Sequence, residues 1–369
     1  MTQRRQFLGF CGGLGLGLTL RPLPAFAAAP DQDDFAELNN ALLDQCLLPR
    51  YEALAVAGES LEGALRRDCA DGGLGGAEES KKAFHAMMDA WMAAQHLRFG
   101  PSELFLRADR MQFWPDKRGV TGRRLSQLLA NPDPAALEPQ RFAQGSVAIQ
   151  GLPALERLLF DMPEAAEQPF ACDLAVRIGE NLKEISADLL ADWRDGPSAY
   201  AAVLRNARQG NAEFLDAKEA SLQLAKSLRS ALLIVVDFKL QRVLGEAVRN
   251  AKPKRAESWR SGRSLRNIEI NLEAAQALYQ NGGQGGFSAL LRRQPDGPTL
   301  HVEIEAVFRR TRKKLANLPA SMTEALEEEG GWQRLSTVRD DVSQLLALIS
   351  GPFSQMLDLP LGFNSFDGD

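Results

Sequence analysis

The chain has 369 residues, with 43 Lys+Arg against 48 Asp+Glu (net charge −5), three His and four Cys. That length predicts one large or two ordinary domains, and 45% hydrophobic with 25% charged residues excludes a disordered chain, a disulfide mini-scaffold and a multi-span membrane protein. The acidic balance argues against broad nucleic-acid binding, and three histidines are few for a histidine-built metal centre.

The first 27 residues read as an export leader. Arg4-Arg5-Gln6-Phe7-Leu8 is a twin-arginine pattern, Phe7 to Leu20 is an apolar stretch, and Ala25-Phe26-Ala27 is a small-x-small cleavage site. The apolar stretch is too short to span a bilayer, and Phe10 before Cys11 does not suit a lipoprotein cleavage box. Cleavage after Ala27 leaves 342 residues, and removing the three leader arginines takes the charge from −5 to −8. Cys46, Cys69 and Cys172 then remain. An odd count leaves at least one free thiol; Cys46 and Cys69 pair if two consecutive helices run antiparallel, and otherwise all three are buried thiols.

Helical periodicity dominates the rest. Helices are predicted over 32–50, 52–68, 79–98, 102–111 and 122–130. Leu174, Ile178, Leu182, Ile185, Leu189 and Trp193 then form one stripe at spacings of three and four. Leu215 to Val243 continues that logic over about eight turns. Ala231 to Val236 is apolar on every side, which places this helix centrally. Further helices are predicted over 265–281, capped by Ser264 and ended by Gly282-Gly283, and over 299–317 and 332–349. Thr299 to Val307 is the best strand candidate, but it runs into a helical segment. The prediction is an all-α fold of two helical bundles, 32–196 and 197–369, divided near Gly196. A short echo between the segments opened by Trp91 and by Trp259 suggests duplication.

Three segments embed polar residues among aromatics and glycines, as a shaped site requires. They are Trp91 to Pro101 followed by Arg110-Met111-Gln112-Phe113-Trp114-Pro115-Asp116, then Gln150-Gly151-Leu152-Pro153-Ala154-Leu155-Glu156-Arg157-Leu158-Leu159-Phe160, and Gly362 to Asp369 at the end. With Trp259 to Asn271, they make the chain resemble the imelysin-like proteins of bacterial periplasms, from about residue 35 to the last. The resemblance implies two bundles from an ancient duplication and an association with iron acquisition. The family also carries a peptidase label. Imelysin proper has a Gly-x-His-x-x-Glu motif proposed to bind metal. Here Glu156 is retained, but Pro153 stands at the His position and offers no ligand atom.

Glu156 reads either as a polar group in a pocket or as a carboxylate favoured by the N-terminal dipole of the helix that Pro153 opens. His85 and His96 lie about 16 Å apart along a helix, too far to share an ion. Each reads as a surface or satisfied interior histidine, and His301 is isolated. Arg98, Arg110, Arg263 and Arg266 either surround an anionic ligand or lock bundle to bundle. Asp367, Asp369 and the terminal carboxylate form either a hard-cation site or a solvated tail. Arg309 to Lys314 is a basic run expected to face Glu324 to Glu329.

The function expected is a non-catalytic periplasmic binding or accessory protein in iron acquisition, with iron or another divalent cation as candidate cofactor. Its ligand site is placed at the seam between bundles and drawn from Glu156, Arg98, Arg110, Trp114, Arg263, Arg266 and Asp367. The alternatives are a metallopeptidase, for which no His-Glu-x-x-His or Gly-x-Ser-x-Gly is present, and a scaffold that docks an iron-uptake or redox partner. No nucleic acid and no membrane span in the mature chain are expected.

Overall fold

Asp31 opens the first helix. Its carboxylate accepts the Asp33 and Asp34 amides, and the Asp34 carboxylate accepts the Asp31 amide in return. The computed structural model describes residues 29–161, 169–194, 196, 199–283 and 285–362. In it α1 (Gln32–Leu42) passes through a π turn (Leu43–Leu47) straight into α2 (Leu48–Asp71). Pro49 lies at the start of α2, and the widened turn before it accommodates the missing N–H without a reversal. The two helices expected on either side of residue 51 are therefore one rod.

The rod corrects the cysteine pairing. Cys46 and Cys69 are separated by about 34 Å along it. Cys69 is instead bonded to Cys172, at a Cα–Cα distance of 5.6 Å. Cys46 is free and buried, and its Sγ donates to Asn281 Oδ1 at 3.2 Å.

After α3 (Glu78–Ala94), the helix expected over 102–111 breaks into two 3₁₀ turns and the short α4 (Arg107–Met111). Phe105 (φ 54°) and Leu106 (φ 56°) adopt the left-handed region, through which no right-handed helix passes. The helices α5 (Val120–Ala130), α6 (Leu152–Phe160) and α7 (Pro169–Arg194) follow. The next, α8 (Ala217–Leu233), continues through a π turn (Ile234–Gln241) to Leu244. Last come α9 (Ser264–Gln280), α10 (Gly297–Leu315) and α11 (Gly331–Leu348). No strand occurs among the described residues, and Thr299 to Val307 is helical. The fold is all-α.

Helix α2 packs on α7 and α3, while α8, α9, α10 and α11 pack on one another. Two glycines let α2 and α7 approach closely. A Cβ on Gly58 would stand 2.5 Å from Ser186 Oγ, and one on Gly179 would stand 2.6 Å from Leu65 Cδ1. The α7 stripe from Leu174 to Trp193 is wholly buried, and so is every residue from Ala231 to Val236. Burial of each large apolar side chain contributes about 1.5–3 kcal/mol. Helix α1 lies on α8, and α3 lies on α9. One apolar core runs unbroken from Phe35 to Leu361.

The basic run of α10 does not face Glu324 to Glu329. Arg310 and Lys314 reach Asp341 on α11 at 2.8 and 2.6 Å, and Arg312 reaches Glu273 on α9 at 3.4 Å. Helix spacing points these side chains at the two neighbouring helices. Among the described residues no helix is long and apolar enough to cross a membrane.

Candidate functional site

Segments far apart in the chain meet around Trp114. Gly151, just before α6, lies against the end of α4, and a Cβ there would stand 2.3 Å from the Arg110 carbonyl oxygen and 2.4 Å from that of Met111. The glycine thus holds the α6 start against the strand of chain that leads to Trp114. Asp116 fixes the other end of that loop by accepting the Val120 and Thr121 amides of α5, each at 2.8 Å. Gly151→Ala is expected to cost about 1–3 kcal/mol and to move the Trp114 loop. A chemical melt with tryptophan emission as readout checks it; an unchanged midpoint and spectrum would reject the packing role.

Beneath Trp114 lies a buried polar network. Glu257 Oε2 accepts from Lys239 Nζ and Asn267 Nδ2, both at 2.7 Å. Its Oε1 accepts from Gln112 Nε2 at 3.0 Å and Gln95 Nε2 at 3.2 Å. Gln112 Oε1 in turn accepts from Trp91 Nε1 at 2.7 Å and Gln95 Nε2 at 2.6 Å. Lys239 projects from the π turn after α8, and burial pushes its ammonium below the usual lysine range while Glu257 opposes that. Its Nζ also lies 5.9 Å from the centre of the Trp114 ring.

Trp114 divides the surface above into two lobes. One, of about 490 Å³, is walled by Trp91, Phe113, Trp114 and Phe238, with Arg98 and Asp109 at its edge. The other, of about 370 Å³, lies between Trp114 and Trp259 and reaches Pro153 and Glu156. A cavity of about 30 Å³, near the size of one water, separates Pro153 and Glu156 from Glu257.

Glu156 lies beyond the first turn of α6, so the helix dipole is not its partner. Its Oε1 accepts the Ser261 N–H at 2.9 Å and the Ser261 O–H at 2.7 Å. Burial raises its carboxyl above the usual glutamate value, against the lowering effect of the two Ser261 bonds and Arg260; Glu257 adds to the rise. With a raised folded value, the native state keeps a proton that the unfolded chain has already lost. The stability from this group is full below the unfolded value and falls as pH rises through the folded one. Glutamine cannot ionise. Glu156→Gln should therefore gain melting temperature relative to the wild type as pH rises above the ordinary glutamate value of about 4.3. Paired thermal melts test this, and a difference independent of pH would reject it.

The four arginines do not surround one ligand. Arg98 pairs with Asp109 at 3.2 Å and lines the larger lobe. Arg110 points away, donating to Gln150 at 2.7 Å and to Asn181 of α7. Arg263 and Arg266 share Asp89 of α3, which ties α9 to α3. The locking alternative describes Arg263 and Arg266, whereas Arg110 bonds only residues of its own segment, 32–196. Asp367 and Asp369 lie outside the described residues. His85 Nδ1 meets Arg263 at 3.1 Å, His96 is buried beside Arg50, and His301 meets the Tyr279 hydroxyl at 2.9 Å. Trp114 and Glu156 are thus brought together, with Arg98 across the indole.

Sequence reasoning missed Glu257 and Lys239; Gln95, Gln112 and Asn267 lay inside the segments it singled out but were not named as site residues. It also missed the cations of the Trp259 lobe. One signal was present: Lys252-Pro253-Lys254-Arg255 leads directly into Trp259.

The sequence profile of the family described as Imelysin matches residues 47–349. Iron-regulated protein A of Synechococcus elongatus is 24% identical over 285 residues, which cover 75% of this chain and 74% of that protein. Among solved structures, an imelysin-like protein from Psychrobacter arcticum superposes with a TM-score of 0.71 at 17% identity, over 91% of this chain and 99% of that one. A putative iron-regulated protein A precursor from Parabacteroides distasonis superposes with a TM-score of 0.73 at 16% identity, over 89% and 96%.

Proposed function

The chain belongs to the imelysin family, and from that premise we propose that it is an exported, non-catalytic binding protein of iron acquisition, with its ligand site in the cleft around Trp114 and Glu156. The cleft would lie at the seam between residues 32–196 and 197–369. One observation carries the reading: the Phe-Trp-Pro-Asp loop, the Gly-x-Pro-x-x-Glu helix start and the Trp259 segment converge on one concave surface. Concave, aromatic-walled surfaces with a few fixed polar groups are where small ligands bind.

A metal held directly by side chains fits this donor set poorly. Pro153 supplies no ligand atom, Glu156 is engaged by Ser261, and Glu257 is engaged by Lys239 and three amides. Among the described residues no three of His, Cys, Asp and Glu are grouped to hold a metal ion. The same donor set gives a peptidase mechanism no zinc-activated water.

Cell fractionation and growth on limiting iron test the proposal. The protein is expected outside the cytoplasm, and wild type but not Trp114→Ala or Glu156→Ala should restore growth of a deletion strain. A cytoplasmic protein, or growth independent of the chain, would sink it. Casein cleavage by the purified protein would replace it with the enzyme reading.

A docking role for an iron-uptake or redox partner is favoured by Leu104-Phe105-Leu106, three consecutive exposed apolar residues, with Phe105 74% exposed. Crosslinking from position 105 to a specific partner, lost in Phe105→Ser, would support it.

A further inference from the structure

We propose that the lobe between Trp114 and Trp259 binds a small polyanion, a ligand with two or more carboxylate or phosphate groups, through Lys117, Arg157, Arg242, Lys254, Arg255 and Arg260. The inference rests on the cleft being the ligand site and not on the ligand containing iron.

The charge count of this lobe runs against that of the molecule. Six cations and only two carboxylates, Asp116 and Glu156, line about 370 Å³ in a chain of net charge −5. Both carboxylates are already occupied. Asp116 caps α5 through two backbone amides, and Glu156 accepts both Ser261 donors. Burial also holds Glu156 toward its neutral form. Arg157 and Arg260 share Asp161 at the rim. Lys117, Arg242, Lys254 and Arg255 have no carboxylate within 4.0 Å among the described residues.

A solvated basic run does not account for this arrangement. The cations come from the loop after Trp114, from α6, from the end of the α8 extension and from the turn before Trp259, so the tertiary fold assembles them. Lys254 and Arg260 are placed by the Trp259 indole, at 5.4 and 4.2 Å from its ring centre. Arg242 lines the lobe, and its buried Nη1 has no hydrogen-bond partner among the described residues. Burial, and then the neighbouring Arg255, press the Arg242 guanidinium below its ordinary value, a cost that a bound anion relieves. Guanidinium forks match carboxylate and phosphate oxygens two at a time. The lobe's size fits a small molecule, and the molecule's net negative charge disfavours a nucleic-acid polymer.

Calorimetry on metal-stripped protein tests the inference, with citrate, pyrophosphate and ferric citrate as probes and acetate as the monoanion control. At least one polyanion should bind in the micromolar range, weaken with added salt, and lose about tenfold or more in Arg242→Gln and in Arg255→Gln. The exposed Arg309→Gln on α10 should leave binding intact, and thermal melts confirm that each variant folds. Preference for ferric citrate identifies a metal complex as the source of the anion, preference for citrate identifies the free polycarboxylate, and preference for pyrophosphate identifies the polyphosphate class; each supports the proposal. Millimolar binding for every probe, or affinities unchanged in both cleft variants, would overturn it. Citrate binding alongside iron-independent growth would remove the iron role and leave the anion site, and the converse would do the opposite.

Discussion

Glu257→Ala is expected to lower stability by about 3–5 kcal/mol, because it strands the Lys239 ammonium in the interior. Both side chains are 2% exposed, and their ion pair is 2.7 Å long. Without Glu257, Lys239 keeps only the Met92 sulfur at 3.1 Å and the face of Trp114. The reverse change should be milder. Lys239→Met leaves the Glu257 carboxylate with N–H groups from Gln95, Gln112 and Asn267, three donors that hold a carboxylate well. The double variant should be more stable than Glu257→Ala alone, since it removes the stranded charge. Urea melts of the four proteins give the coupling directly. Equal losses in the two single variants, or additive losses in the double, would show that the pair is not the interaction that matters. The same set bears on the cleft, because Lys239, Gln112 and Trp91 support the Trp114 platform from below.

Loss of the Cys69–Cys172 bond should be comparably damaging. The bond closes a loop of 103 residues and ties α2 to the start of α7. At that loop length the chain-entropy effect is about 4–5 kcal/mol. The Cys69→Ser/Cys172→Ser protein should therefore unfold at clearly lower denaturant than the wild type, and a reducing agent should bring the wild type down to meet it. Thiol titration of denatured protein lacking residues 1–27 should find one thiol, Cys46. Three thiols, or melts insensitive to reductant, would refute the pairing. Persistence of this bond requires an oxidising compartment, which agrees with the proposed export.

The helices with the strongest local pattern were readable directly. The Leu174 to Trp193 stripe and the all-round apolar stretch at Ala231 to Val236 depend only on residues one to four turns apart, and the burial of both follows from that spacing. Glu156 and Trp114 were legible as site candidates because their motifs put polar groups beside proline, glycine and aromatic residues. Two errors arose where neighbouring residues do not decide the geometry. A break between two helices was expected at residue 51, but a π turn carried the chain through Pro49 as one rod, which put Cys46 about 34 Å from Cys69. The run before Arg107 had helical composition, but Phe105 and Leu106 took positive φ.

The sequence by itself determined the all-helical class, the buried stripes and the absence of a histidine at position 153. It did so because helix formation and side-chain chemistry are local. The tertiary structure alone decided which cysteines meet, which acids neutralise the α10 cations and which charges share the cleft. Arg157 and Arg255 are nearly a hundred residues apart in sequence yet line the same lobe. Coulombic and hydrogen-bond energies depend on distance in space, so no reading of spacing along the chain could have assembled that lobe or shown that Arg110, Arg263 and Arg266 are held elsewhere.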